Sequence, residues 1–226
     1  MSLGVGTFAA SGNTSMIDPS FTYGGQAANS GSGTSFSFNL NNLGDDYPSR
    51  YVVFAVRWAR AGTINPPSSV SATLGGAPAT LISAAPSASF TQALFIALRP
   101  TGTSATAVIT LGVTVTTCIA AWAILKDLES ATPTQHDRAS GTNTTQVNVA
   151  IPDKGIVFAY WAAGYGVSPN ATNWSTPMVV AMNQNVLTQS RHSLAYRVAS
   201  SGAVASYSVV NTFNYSSTQL SVAVFR

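Results

Sequence analysis

The sequence predicts an all-β chain that folds as an antiparallel β-sandwich, and three observations support this. Apolar residues alternate with small polar residues along most of the 226 positions. β-Branched and aromatic residues dominate these segments, and turns rich in Gly and Pro separate them. Charged residues make up 8% of the chain, against about 25% in an average soluble domain. We therefore expect a surface of Ser, Thr, Asn, Gln and Gly that is polar but nearly uncharged.

Thirteen segments have the alternation and composition of strands. They are residues 35–40, 51–59, 69–74, 79–84, 91–99, 105–111, 117–126, 146–151, 155–163, 178–183, 192–199, 204–213 and 219–225. Turn residues separate them, as at Gly75-Gly76 and in the Pro-Thr-Gly turn that ends at Gly102, where the chain must reverse. Residues 124–130 contain the only helix-like pattern.

Two halves of the sequence resemble each other. Residues 93–126 align with residues 193–226 at a constant offset of 100 and without a gap, so that Gly102 lies over Gly202. Both segments contain a strand, a Gly-containing turn and two further strands in the same order. This agreement predicts an internal repeat.

The repeat extends upstream of these segments. SFSFNL aligns with TQVNVAI, and residues 53–55 align with residues 157–159. The period of two then predicts one buried face on each of two strands. The residues of these faces are Val52, Phe54, Val56 and Trp58 in the first half, and Ile156, Phe158 and Tyr160 in the second.

Two arrangements of the halves fit this pattern. One is a single jelly-roll-like sandwich of two interleaved halves, which we favour because no interdomain linker separates them, and the alternative is two tandem immunoglobulin-like sandwiches. Residues 1–33 read as an N-terminal arm or peripheral hairpin, and residues 34–226 as the sandwich. Its halves are residues 34–128 and 144–226, joined by a polar crossover.

Residues suited to catalysis are few, since the chain has two His and seven acidic residues. Adjacent side chains on an extended segment point apart, so His136 and Asp137 are not expected to cooperate. His192 has no carboxylate near it in the sequence, and no serine lies in a Gly-x-Ser-x-Gly elbow. We expect a protein that is not an enzyme and needs no cofactor.

Metal binding is not expected either. The single cysteine, Cys118, excludes an internal disulfide and a cysteine-based zinc site, and its apolar surroundings predict a buried thiol. Asp45 and Asp46 provide two carboxylates in one loop, fewer than a calcium site normally requires. A hydrated turn is the favoured interpretation of that loop.

Charge and hydropathy bear on two further classes of partner. Ten basic and seven acidic residues give a net charge of +3, and the basic residues are scattered, with Arg57 and Arg60 the closest grouping. Nucleic-acid binding through a basic patch is therefore not expected. The longest apolar run, residues 118–125, is far shorter than the roughly 20 residues of a spanning helix, so membrane insertion is not expected.

One loop has the composition of a ligand-binding site. Residues 164–177, GYGVSPNATNWSTP, place Tyr165 and Trp174 among Asn170, Asn173 and serines, outside any strand pattern. Aromatic faces stack on sugar rings while amides bond their hydroxyls. Binding of a glycan, contact with another subunit and packing of the loop on itself all remain open for this segment.

The segments SVSATLGGAPATLIS, ALFIALRPTGTSATAVITL and LSVAVFR, within residues 50–226, resemble structural proteins of tailed bacteriophages, prophages and gene transfer agents. The resemblance implies a virion surface protein made in the bacterial cytoplasm, such as a capsid decoration, head-fibre or tail-associated protein. It implies other virion proteins as partners and a homo-oligomer, with a trimer as the first expectation. Some such proteins bind host glycans, so a lectin-like module that recognises host polysaccharide is the alternative function.

Overall fold

The computed structural model describes residues 17–59, 69–86, 91–142, 144–163, 173–186, 190–200, 202–212 and 218–226. Within these residues it contains seventeen strands and no helix, so the all-β prediction is confirmed. Consequently, the described part has no helix that could span a membrane. The first-half strands are β1 (Ser20–Asn29), β2 (Gly33–Leu40), β3 (Tyr51–Ala59), β4 (Val70–Leu74), β5 (Ala77–Pro78), β6 (Thr80–Pro86), β7 (Thr91–Leu98), β8 (Ala105–Val115) and β9 (Thr117–Lys126). The second-half strands are β10 (Gln135–Gly141), β11 (Thr144–Ile151), β12 (Ile156–Ala163), β13 (Asn173–Trp174), β14 (Val179–Val186), β15 (Ser190–Val198), β16 (Val204–Thr212) and β17 (Thr218–Phe225).

The strands form four antiparallel sheets, two in each half. The first half has a five-stranded sheet, β1-β9-β3-β7-β6, and a four-stranded sheet, β2-β8-β4-β5. The second half has a five-stranded sheet, β10-β17-β12-β15-β14, and a three-stranded sheet, β11-β16-β13. Every pairing among the described strands joins two strands of the same half, so the halves are arranged in tandem and are not interleaved. Short connections keep the pairing local.

The sheets stack in a sandwich-like arrangement with three apolar layers between them. The first layer, which contains Phe54, lies within the first half, and the third, which contains Trp161, lies within the second. The central layer lies between the two five-stranded sheets and contains Val53 and Phe158. Both faces of these sheets are therefore buried, which explains the continuous apolar sequences of β3 and β12.

The register of pairing relates the two halves position by position. Val53 lies opposite Ile96, and Phe158 lies opposite Tyr196. Since Ile96 and Tyr196 are 100 positions apart, Phe158 takes the place of Val53, and the sequence alignment of Val53 with Val157 is off by one residue. A shift of one residue exchanges the two faces of a strand. The predicted Phe158 face consequently contacts the central layer, although the Phe54 face contacts the first layer; the sequence repeat itself stays a prediction.

Two segments outside the thirteen predicted strands form sheet edges. β1, which falls in the segment predicted as an N-terminal arm or peripheral hairpin, pairs along β9, and β10, which falls in the predicted crossover, pairs along β17. β1 carries Gly24 and Gly25, where a Cβ atom would overlap the indole ring of Trp122. Pairing with β9 and the close approach to Trp122 determine the position of β1, so this strand does not need a periodic apolar pattern.

The helix-like pattern over residues 124–130 was wrong. Ile124 and Leu125 belong to β9, where one faces the first layer and the other the central layer. Burial on both faces produces a run of apolar residues that has neither a clear period of two nor a helical period.

Candidate functional site

Two of the four predicted ligand-binding residues lie in the described part of the chain. Asn173 and Trp174 form β13, the outer strand of the three-stranded sheet, and pair with the end of β16. Asn173 is exposed and Trp174 is half-buried. Tyr165 and Asn170 lie outside the described residues.

The indole of Trp174 is held by the protein. Its Nε1–H donates to Ser193 Oγ at 2.7 Å, and Ser193 Oγ donates to the carbonyl oxygen of Met182 at 2.9 Å. The ring also packs against the third layer. Because the only polar group of the indole is already bonded, a ligand would have to contact Trp174 through its ring face.

Ser175 fixes the segment that follows Trp174 to β16. Its Oγ donates to the carbonyl oxygen of Ser208 at 3.0 Å and accepts from the N–H of Val210 at 3.1 Å. Its backbone N–H also donates to the carbonyl oxygen of Val210, at 2.9 Å. These bonds hold the chain at the point where it passes from the three-stranded sheet to β14 of the five-stranded sheet.

An exposed apolar pair follows on β14. Val179 and Val180 are 50% and 46% exposed, and β14 is the outer strand of its sheet. An irregularity between Val180 and Met182 shifts the pairing at this point. Outer strands present unpaired backbone groups, and apolar side chains on them favour contact with another chain. Val179 and Val180 point to opposite faces of β14 and flank its outer edge. We name Asn173, Trp174, Val179 and Val180, which lie on the outer strands β13 and β14, the 173–180 surface.

Sequence reasoning found the first part of this surface but not the second. The aromatic and amide composition drew attention to Trp174, whereas the valines were counted as ordinary residues of a strand. Their adjacency was the available signal, since neighbouring residues on a strand point to opposite faces and a strand with one buried face should alternate.

His192 lies in the interior and takes part in a closed chain of hydrogen bonds. The Tyr160 hydroxyl bonds to Nδ1, and Nε2 lies 3.2 Å from Ser190 Oγ, which donates to the carbonyl oxygen of Val186 at 2.7 Å. Burial, together with the charge of Arg57, holds the pKa of His192 well below its usual range. The neutral ring then accepts at Nδ1 and donates from Nε2.

This series of hydrogen bonds has a structural role. Burial also raises the pKa of Tyr160, so the phenol keeps its proton and is the donor to His192. Each polar side-chain atom in this series of hydrogen bonds has a partner within the protein, which is the normal state of buried polar groups.

The acidic loop before β3 is engaged in a turn. Asp46 Oδ1 accepts a hydrogen bond from the backbone N–H of Gly102 at 2.7 Å, so this carboxylate joins its loop to the connection between β7 and β8, which lie in different sheets. Among the described residues, no group of three or more His, Cys, Asp or Glu is placed to hold a metal ion.

Comparison of the chain with protein-family models, with curated proteins and with solved structures finds no match in any of the three.

Proposed function

We propose that the protein is a non-enzymatic structural protein of a phage or phage-like particle, a capsid decoration, fibre or tail-associated protein that acts by subunit assembly. The exposed Val179 and Val180 pair on the outer strand β14 is the observation that carries the assembly. The resemblance of residues 50–226 to virion structural proteins supports the proposed role in a phage or phage-like particle.

The chemistry of the 173–180 surface suits contact between protein subunits. Its side chains are apolar or neutral, in keeping with a chain in which 8% of residues are charged. Burying apolar area contributes about 25 cal/mol per Å². Each half-exposed valine therefore contributes about 1 kcal/mol when covered, and the outer edge of β14, with which no other described strand pairs, offers backbone hydrogen bonds as well.

Mass measurement at micromolar concentration tests the proposal. We expect the wild-type chain to be a homo-oligomer, with a trimer as the first expectation, and the Val179→Asp, Val180→Asp double variant to be monomeric because two carboxylates cannot be buried without partners. Leu98→Asp is the matched control, since Leu98 is a similarly exposed apolar residue (52%) on β7 in the other half. It should leave the oligomer intact.

Two results would contradict the proposal. A wild-type chain that stays monomeric at these concentrations would remove assembly through its own copies. Its absence from purified particles of a phage or prophage that encodes it would remove the virion role.

Glycan binding is the second candidate function, and the half-buried ring of Trp174 beside the exposed Asn173 favours it. If a sugar stacks on the indole, Trp174→Ala should abolish binding, while Trp174→Phe keeps an aromatic face and should retain part of it. Both variants lose the bond to Ser193, so the pair separates stacking from packing. Equal loss in both variants, accompanied by the same fall in melting temperature, would make Trp174 a packing residue.

A further inference from the structure

Strand register relates the outer strands of the two five-stranded sheets to each other. β6 is the outer strand beside β7, and β14 is the outer strand beside β15. Leu81 lies opposite Phe95 and Val180 lies opposite Ala195, so Leu81 and Val180 hold equivalent positions. They are 43% and 46% exposed, and an irregularity in the pairing follows each of them. The two edges can therefore be compared position by position.

The edge of β6 is protected against pairing with a further strand. Arg138 of β10 reaches it from the second half, and its Nη1 donates to the backbone carbonyl oxygen of Ala84. The strand ends at Pro86, which has no backbone N–H to donate. A charged side chain and a proline on an outer strand both hinder the addition of another strand.

The outer strands β1 and β10 expose no large apolar side chain. The exposed side chains of β1 are small, those of two hydroxyl residues and one alanine. β10 exposes His136, Asp137 and Arg138 in succession, and charged side chains on an outer strand oppose the approach of another strand. In the two smaller sheets, no described residue of an outer strand is an exposed large apolar one.

β14 differs from these strands. Its sequence, VVAMNQNV, contains no charged residue and no proline. Arg191 of β15 donates to Asn183 Oδ1 at 2.9 Å and to Asn185 Oδ1 at 3.2 Å, so both amides lean toward β15 and away from the outer edge. None of the described strands pairs with that edge. Its backbone groups are therefore accessible beside two exposed valines.

The residue of β1 that corresponds to Arg138 bonds to a side chain of β14. Arg138 lies opposite Ser221 and Gln26 lies opposite Ala121, so Arg138 and Gln26 hold equivalent positions. Each of them crosses to the other half. Gln26 Nε2 donates to the side-chain Oε1 of Gln184, whereas Arg138 donates to a backbone oxygen of β6. Of the two equivalent edges, β6 is closed and β14 is open.

We propose that β14 pairs edge to edge, and antiparallel, with β14 of a second copy of this chain, so that two five-stranded sheets become one. The inference rests on the assembly role proposed above and names the surface that the open edge meets. Because β14 is the open apolar edge among the outer strands described, the matching surface on a second copy is the same strand. Main-chain hydrogen bonds provide the affinity of such a pair, and Val179 and Val180 are covered on the two faces of the joined sheet.

This pairing is two-fold, and the symmetry determines which residues meet. Residues directly opposite each other in an antiparallel pair share a face of the sheet. A two-fold axis perpendicular to the sheet keeps each side chain on its own face, so one residue of β14 must lie opposite its own copy. The Cα atoms of such a pair are about 4.5 to 5.5 Å apart, which is within the range that a disulfide spans.

Single-cysteine variants test the pairing. Each of the 8 positions of β14 is changed to cysteine in turn, and Leu81→Cys on β6 is the matched control for Val180→Cys; the native Cys118 is fully buried. Under mild oxidation we expect at least one β14 variant to form a disulfide-linked dimer and Leu81→Cys to stay unlinked. An oligomeric wild-type chain in which no β14 variant is linked would overturn the pairing and leave the assembly proposal standing. A monomeric wild-type chain would overturn both.

A second pair of variants compares the two edges. Val180→Asp should raise the dissociation constant of the oligomer about tenfold or more, whereas Leu81→Asp should leave it unchanged. Equal weakening by both variants would show that β14 meets β6 of the next copy, and an unchanged constant in Val180→Asp would remove β14 from the contact; either result would overturn the two-fold pairing. The pairing gives a dimer, whereas the trimer that the resemblance implies needs a heterologous contact. A stable trimer would therefore overturn the pairing but not the assembly proposal.

Discussion

Asp153 Oδ1 accepts a hydrogen bond from the backbone N–H of Gly202 at 2.6 Å, and Asp46 bonds Gly102 in the same way at 2.7 Å in the other half. Both glycines have a positive φ, 76° and 84°, which favours glycine over other residues. In each half the carboxylate precedes the middle strand of the five-stranded sheet and the glycine lies in a turn between the two sheets. Each half therefore contains an equivalent contact, which joins the loop before the middle strand to the turn between the two sheets.

Removing either carboxylate should destabilise the fold. We expect Asp153→Ala and Asp46→Ala each to lower the free energy of unfolding by about 1 kcal/mol, measured by urea denaturation, and the double variant to show the sum because the two sites are in different halves. Asp18→Ala is the control, since the exposed Asp18 pairs with Lys154 at 3.9 Å and such surface pairs contribute little. An effect of Asp153→Ala no larger than that of Asp18→Ala would contradict the bracing role.

Arg50 organises the loop before β3 from within. It is fully buried, and its guanidinium donates to five backbone carbonyl oxygens at 2.6 to 3.1 Å. These oxygens belong to Leu43, Gly44, Asp45, Arg99 and Gly102. The guanidinium thus joins that loop to the connection between β7 and β8.

We expect Arg50→Met to lower the free energy of unfolding by at least about 3 kcal/mol, because buried carbonyl groups lose their donor. Arg50→Lys should recover little of this, since an ammonium cannot reproduce the planar set of donors. Arg197→Met, which removes a half-buried arginine over the Tyr207 ring, should cost about 1 kcal/mol or less. Chemical denaturation of the three variants compares them, and a lysine variant as stable as wild type would refute the argument.

His192 should make stability depend on pH. Its pKa is held well below the usual value by burial and by Arg57, whereas the unfolded chain takes up a proton near pH 6.5. The unfolded state therefore binds more protons as the pH falls through that value, and stability should decrease by up to about 1.4 kcal/mol per pH unit. His192→Gln should remove this slope between pH 6.5 and 5, whereas His136→Gln should keep it; an unchanged slope in His192→Gln would show that other groups cause it.

The central layer should couple the unfolding of the two halves. Cys118 is buried in the first layer, and burial raises the pKa of its thiol, so it should react with a thiol reagent only when the first half opens. Phe158 is in the second half and faces the central layer. Phe158→Ala should cost about 3 kcal/mol or more and speed the labelling of Cys118 about a hundredfold. Labelling at the wild-type rate would show that the halves open independently.

The strands and turns of this chain were predictable from the sequence. Most of the thirteen predicted strands coincide with observed ones, because side-chain alternation and β-branched residues act within a single strand. The turns at Gly102 and Gly202 were predicted from glycine's freedom at positive φ, and both glycines have it. The Val52 and Phe54 face was predicted to be buried and packs in the first layer.

The stacking of the sheets, and the segments that form their edge strands, were decided only by the tertiary structure. β1 and β10 have no apolar period of their own and become strands because β9 and β17 supply their hydrogen bonds. The burial of both faces of β3 depends on a second sheet whose strands begin more than seventy residues later. Alternation describes one strand at a time, whereas sheet edges and layers depend on contacts between residues that are distant in the sequence.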